Sequence, residues 1–311
     1  MTDTTGTSPS PAPSAVLAAV AAGSAATTLL VGLLRWTGPP PAGYPAIFAP
    51  LWVAPVAAAV ALLACVAART RASRPLAVGL GWTAVVLLFW AGGGVALDAF
   101  RTFFAVTGIP AGDFSVVDVP GAVVRSLGAV TAVVMVLHTW ASGAGGTDRS
   151  RRWPRTLALA MCVPYPALKV YWWLGGTLGR PEPHTGGAPV MEIALFATAA
   201  VLVLALTRRP VPGRVVRGGL RAAGWVAASA GITMGALMLF GTAAQLLGLD
   251  DGPVDLGAGP ITVIVALTYA TWLVIGVALL VATLDARDAA PDVRRRPVSA
   301  PEDRGGTVVA R

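Results

Sequence analysis

The sequence contains no asparagine, a single lysine (Lys169), two cysteines and two histidines in 311 residues. Without asparagine there is no N-x-Ser/Thr glycosylation acceptor. Cys65 and Cys162 both fall inside apolar runs. They read as small buried side chains rather than as a disulfide or a metal pair. His184 has no second histidine near it, which argues against a metal site. Catalytic signatures are missing too: GxxxxGK[S/T], HExxH, GxSxG and CxxC do not occur. The segments between apolar runs are too short to hold a soluble catalytic domain. No cofactor is expected, and an enzyme is the weakest reading.

Charge is scarce. Only 12% of residues are charged, against roughly 25% in soluble domains. What fills the chain instead is apolar: 55% hydrophobic residues and a mean hydropathy of +0.71. Apolar runs near the length needed to cross a bilayer recur throughout, which predicts an all-α, polytopic membrane helix bundle. A spanning β-barrel would show short alternating segments instead. The net charge of +8 does not predict a nucleic-acid partner, because the arginines form short clusters between apolar runs. Heavy use of Ala, Gly, Val and Arg reads as a high-GC bacterial genome.

The spacing predicts about eight transmembrane helices, near 14–34, 46–67, 76–98, 119–141, 156–176, 188–207, 222–247 and 260–284. Residues 1–13, rich in Thr, Ser and Pro, read as a disordered N-terminus. The run 14–34 is too long for a signal-peptide core and reads as a retained helix. The tail 285–311 is charged and reads as disordered. Loops 68–75, 142–155 and 208–221 and the tail hold 18 of the 23 basic residues. The opposite loops hold Arg35, Arg101 and Arg180, with Asp250, Asp251 and Asp255 in the last. Arginine bias of this kind places both termini in the cytoplasm and the protein in a bacterial cytoplasmic membrane.

A shift of 143 positions lays the first four helices on the last four and carries Gly81-Trp82 onto Gly224-Trp225. This fits a 4+4 parallel repeat, as in some transporters. The competing account is regular hairpin spacing and one chance dipeptide.

Charge inside a bilayer is costly, roughly 2.5–3.5 kcal/mol per central residue on insertion scales, so each such residue calls for a partner or a route to water. Lys169, Glu192 and Arg125 fall in the outer half of their helices, and Asp98 and Arg101 mark the outer end of another. Tyr165, Trp172 and Trp173 stand at i−4, i+3 and i+4 from Lys169, on one helical face. Aromatic walls beside a cation favour cation–π contact and ligand pockets. Pro164 and Pro166 interrupt the same helix, and broken helices beside charge point to transporter sites. These residues predict an outward-facing site for a small anionic or lipid-like ligand. The competing account is an aromatic belt with a snorkelling lysine.

Lesser signals are an interfacial His138 beside Trp140, close packing at Gly231 and Gly235, and a packing face or hinge at Gly92-Gly93-Gly94. Loop 101–118, with Asp118, is a candidate cover for the outer mouth, and Gln245 and Tyr269 are candidates to extend the polar region. Three functions remain open: a permease-like binder, a non-catalytic assembly or regulatory subunit, and an intramembrane enzyme using Glu192 as a base. Beyond the lipid bilayer, a membrane-protein partner or a homo-oligomer fits the second.

Overall fold

A computed structural model describes residues 13–37, 48–70, 74–143, 153–178, 186–208, 213–247 and 260–288. Of the ends expected to be disordered, 1–12 and 289–311 lie outside them, as do Arg180, His184, Asp250, Asp251 and Asp255, whereas Pro13 and 285–288 are helical. Every regular element among the described residues is helical. The α-helices are α1 (Pro13–Trp36), α2 (Val53–Arg69), α3 (Arg74–Ala91), α4 (Val95–Thr107) and α5 (Val119–Gly143). They continue as α6 (Trp153–Met161), α7 (Pro164–Trp173), α8 (Val190–Thr207), α9 (Arg214–Leu246) and α10 (Pro260–Asp288).

Among the described residues, six stretches are long and apolar enough to cross a bilayer: Ala15–Trp36, Arg74–Thr107, Val119–Ser142, Val190–Thr207, Val215–Ala244 and Ala266–Ala286. Two of the eight expected spans fall short as single helices. The 17 residues of α2 rise about 25 Å at ~1.5 Å each, against a hydrocarbon core of about 30 Å. The 156–176 segment is split, because Pro164 supplies no N–H and starts α7 as its first residue.

The expected helix 76–98 also differs. It ends at Ala91, turns through Gly92-Gly93-Gly94 and resumes as α4. Gly94 takes φ +90°, a left-handed conformation that a side chain resists. There is also no room for one, since the Phe48 ring occupies the place of a β-carbon. Residues 101–107, expected in a loop, continue α4. Likewise 214–221 begin α9 rather than ending a loop.

The helices pack as two bundles. In the first, α1 lies against α2 and α5, α2 against α3, and α3 against α5. In the second, α6–α7 lies against α8 and α10, α8 against α9, and α9 against α10. The order around each bundle is the same. Contacts of α9 with α3, α4 and α5 join the two.

Small residues set the closest approaches. A β-carbon on Gly92 would come within 3.1 Å of the Ala129 backbone nitrogen, and one on Gly231 within 2.9 Å of Gly276 Cα. Gly81 faces the Thr139 side chain, and Gly224 faces that of Thr283. Between lipid-exposed helices van der Waals contact replaces hydrophobic driving force, and small residues permit it. Buried hydroxyls add register, with Thr28 and Thr131 sharing a 2.8 Å hydrogen bond across α1 and α5. Both cysteines are half-buried and free.

Candidate functional site

The charged residues singled out above divide between the two bundles. In the first, the end of α1 and the starts of α4 and α5 converge on an ionic network. Asp98 lies on the first turn of α4 and is only 3% exposed. Arg125 lies about two turns into α5 and is also buried. The guanidinium donates twice to the carboxylate, Nε to Oδ2 at 2.5 Å and Nη2 to Oδ1 at 2.9 Å. This fork geometry is the strong form of an arginine–carboxylate bond.

Asp118 caps α5. Its Oδ1 accepts from the Gly121 backbone N–H at 3.1 Å, three residues on, as an N-cap carboxylate does. Its Oδ2 faces Arg35 Nη2 at 3.4 Å and Arg125 Nη2 at 3.8 Å. Gly121 has to be glycine here, since a β-carbon would overlap the Asp118 carboxylate. The Phe48 ring that fills the notch at Gly94 also lies under the Arg125 guanidinium, 4.6 Å from Cζ to ring centroid. Arg101, one turn along α4 from Asp98, shares its buried face. Arg35 and Arg125 thus meet two aspartates, with Arg101 buried on the same face of α4.

Two spaces border the network. A cavity of about 30 Å³ is lined by Arg35, Arg125, Gly121 and the chain at Ala49–Leu51. It has room for a water molecule. A groove of about 510 Å³ runs between α4 and α5, with Asp98 and Ser126 among its apolar walls.

The second bundle carries Lys169, Tyr165, Trp172 and Glu192. Lys169 Nζ lies 5.4 Å from the Tyr165 ring and 5.2 Å from the Trp172 ring, cation–π distance to both. Trp172 is buried, and its indole N–H donates to the Leu178 carbonyl at 2.7 Å. Trp173, placed on the same face by spacing alone, is 47% exposed. Tyr165 stacks on Phe196 at 5.2 Å and meets Tyr269 and Trp272 edge-on at 5.4 Å each. Glu192 stands half-buried in the first turn of α8, near enough to Tyr165 to act on it electrostatically. Tyr269, a candidate for the polar region, belongs to this aromatic cluster.

Sequence reasoning placed Asp98, Arg101 and Arg125 at one depth but did not include Arg35 and Asp118 among the site residues. A signal for Asp118 was present: Asp-Val-Pro-Gly before an apolar run is a helix start. At the arginine-rich end, His138 is buried, and its Nε2 has no hydrogen-bond partner.

The six long apolar helices mark the chain as a multi-pass membrane protein. No protein-family model matches the sequence, and comparison with curated proteins and with solved structures finds no match.

Proposed function

We propose that the protein is a permease-like binder of a small anionic or lipid-like ligand. Its site is the ionic network of the first bundle. The observation that carries this is the excess of arginine over aspartate (half-buried Arg35 with buried Arg101 and Arg125, against buried Asp98 and Asp118) beside a water-sized cavity and an open groove. Buried charge is expensive in a membrane and its default reading is functional. In this reading the arginines hold the anionic group, and the two aspartates occupy them when the ligand is away. Lys169, with Tyr165, Trp172, Trp173 and Glu192, is a second contact region in the other bundle. Arginine bias puts the network on the outer side and both termini in the cytoplasm of a bacterial membrane.

The architecture in this reading is eight spans in a 4+4 parallel repeat, with α2 and the broken α6–α7 counted as spans. Matching close approaches support it. Gly81 on Thr139 and Gly92 on Ala129 in the first bundle correspond to Gly224 on Thr283 and Gly235 on Leu273 in the second. The shift is 143 on α3/α9 and 144 on α5/α10 in both cases. Regular hairpin spacing alone does not reproduce paired contacts.

A second reading, a non-catalytic assembly or regulatory subunit, is favoured by the closed two-bond pairing of Arg125 with Asp98. Native mass spectrometry separates the two. The permease-like reading expects an anionic species retained by the wild type and lost from Arg35→Gln and Lys169→Ala proteins of unchanged fold. No retained species, with a stoichiometric membrane partner on coexpression, supports the subunit and overturns the binder.

A further inference from the structure

We infer that the first bundle holds a second binding site, for a single-chain anionic amphiphile, at its arginine-rich end. It lies at the opposite end of α5 from the Arg125 network and does not depend on that reading. A groove of about 710 Å³ runs between α1, α2 and α5. Its volume is in the ordinary range for a small-molecule pocket. The walls are Leu17, Ala18 and Ala22 on one side and Leu62 and Val66 on the other. The alanines Ala15, Ala18, Ala19 and Ala22 line the groove from α1, where larger residues would narrow the gap. Lipid tails gain nothing over leucine side chains from such a surface, so apolar walls alone select no ligand.

The polar groups at one end of the groove supply the selection. His138, Arg69 and Ser142 line it where α2 and α5 end. The His138 side chain is more than nine-tenths buried, and its Nε2 is without a hydrogen-bond partner. A buried polar nitrogen of this kind costs stability until something bonds to it. Arg69, at the last turn of α2, adds positive charge at the same level. A head group bearing negative charge bonds to the imidazole and faces the guanidinium, while its chain lies along α1. A carboxylate and a phosphate share this chemistry. A neutral head group gains the imidazole bond but not the arginine.

Cys65 lines the same groove and serves as its reporter. In the Cys162→Ala protein it is the only thiol. The experiment measures the rate of Cys65 modification by N-ethylmaleimide in the full-length protein in detergent. It is run alone and with oleate, 1-oleoyl-lysophosphatidate or oleyl alcohol. The proposal expects both anionic amphiphiles to protect Cys65 at about tenfold lower concentration than the alcohol, the affinity of one charge-assisted hydrogen bond. Whichever protects better tells a fatty-acid carboxylate from a lipid phosphate. Arg69→Gln should bring the anions to the level of the alcohol, and His138→Leu should weaken protection by all three, neither changing the unliganded rate. Ala18→Phe, which narrows the groove, should abolish protection by all three. Equal protection by oleate and oleyl alcohol, no protection, or a thiol that does not react in the free protein would overturn the site. Arg69→Lys keeps the charge and should keep the preference, so loss of preference there would also count against it.

Discussion

The two bundles are wound in the same order and differ in what they bury at the end remote from the arginine-rich loops. The first buries charge: Asp98 and Asp118 interleaved with Arg35 and Arg125. The second gathers rings: buried Tyr165 lies within 5.4 Å of Phe196, Tyr269 and Trp272, centroid to centroid, and Phe196 meets Trp272 at 4.8 Å. On the shift that aligns α5 with α10, Arg125 corresponds to Tyr269. The contrast shows what a charge needs inside a membrane protein. Arg125 is held because α4, restarting after the glycines, carries Asp98 in its first turn, and because the cap of α5 presents Asp118. Where the chain supplies rings instead, packing takes the place of ion pairing. Lys169 then lies over ring faces.

Breaking the ionic side should have the largest effect. Asp98→Ala leaves the Arg125 guanidinium without its two-bond acceptor, and removing one partner of a buried pair costs about 3–5 kcal/mol. Equilibrium unfolding in mixed micelles should show that loss, and Asp98→Ala with Arg125→Met should recover much of it. A single mutant of wild-type stability would mean the network is not buried as described. The aromatic side should come next. Tyr165→Ala empties a ring site shared by three neighbours and should cost about 3 kcal/mol by cavity formation. The Lys169 contact with the Tyr165 ring is lost with it.

The proposed repeat is tested by smaller, matched changes. Gly81→Ala and Gly224→Ala each push a methyl into a threonine side chain, at a cost of about 1–3 kcal/mol for overpacking. Thr139→Ala should rescue the first and Thr283→Ala the second. Rescue in both bundles sharpens the correspondence, and rescue in one alone weakens it. The smallest effect belongs to Lys169→Met. It removes two cation–π contacts on a partly exposed side chain, a loss of about 0.5–1 kcal/mol in unfolding. A larger loss would place Lys169 in a drier setting than the rings provide.

Much of this arrangement was legible in the chain. Scarce charge, apolar runs and arginine clusters carried the helical membrane class, because a bilayer leaves few ways to satisfy a backbone. The prolines at 164 and 166 announced the break before α7, and the glycine triplet was marked as a packing face or hinge. Its outcome was not legible, since Gly92 packs on Ala129 while Gly94 turns the chain around Phe48. Those neighbours come from distant segments. Spacing also put Trp172 and Trp173 together, whereas one is buried and the other exposed. Two adjacent residues on a helix point about 100° apart, and only the packed neighbours decide which direction is inward.

The sequence by itself determined the solvent. Its apolar content and the positions of its arginines dictate helices in a bilayer, and these are additive properties of each segment. The tertiary structure alone decided the partners. It paired Arg125 with Asp98, laid Lys169 over ring faces in the other bundle, and drew Arg35 and Asp118 into the Arg125 network. The reason is that pairing depends on helix rotation and on which bundle a helix joins. Those are set by contacts between side chains far apart in the chain.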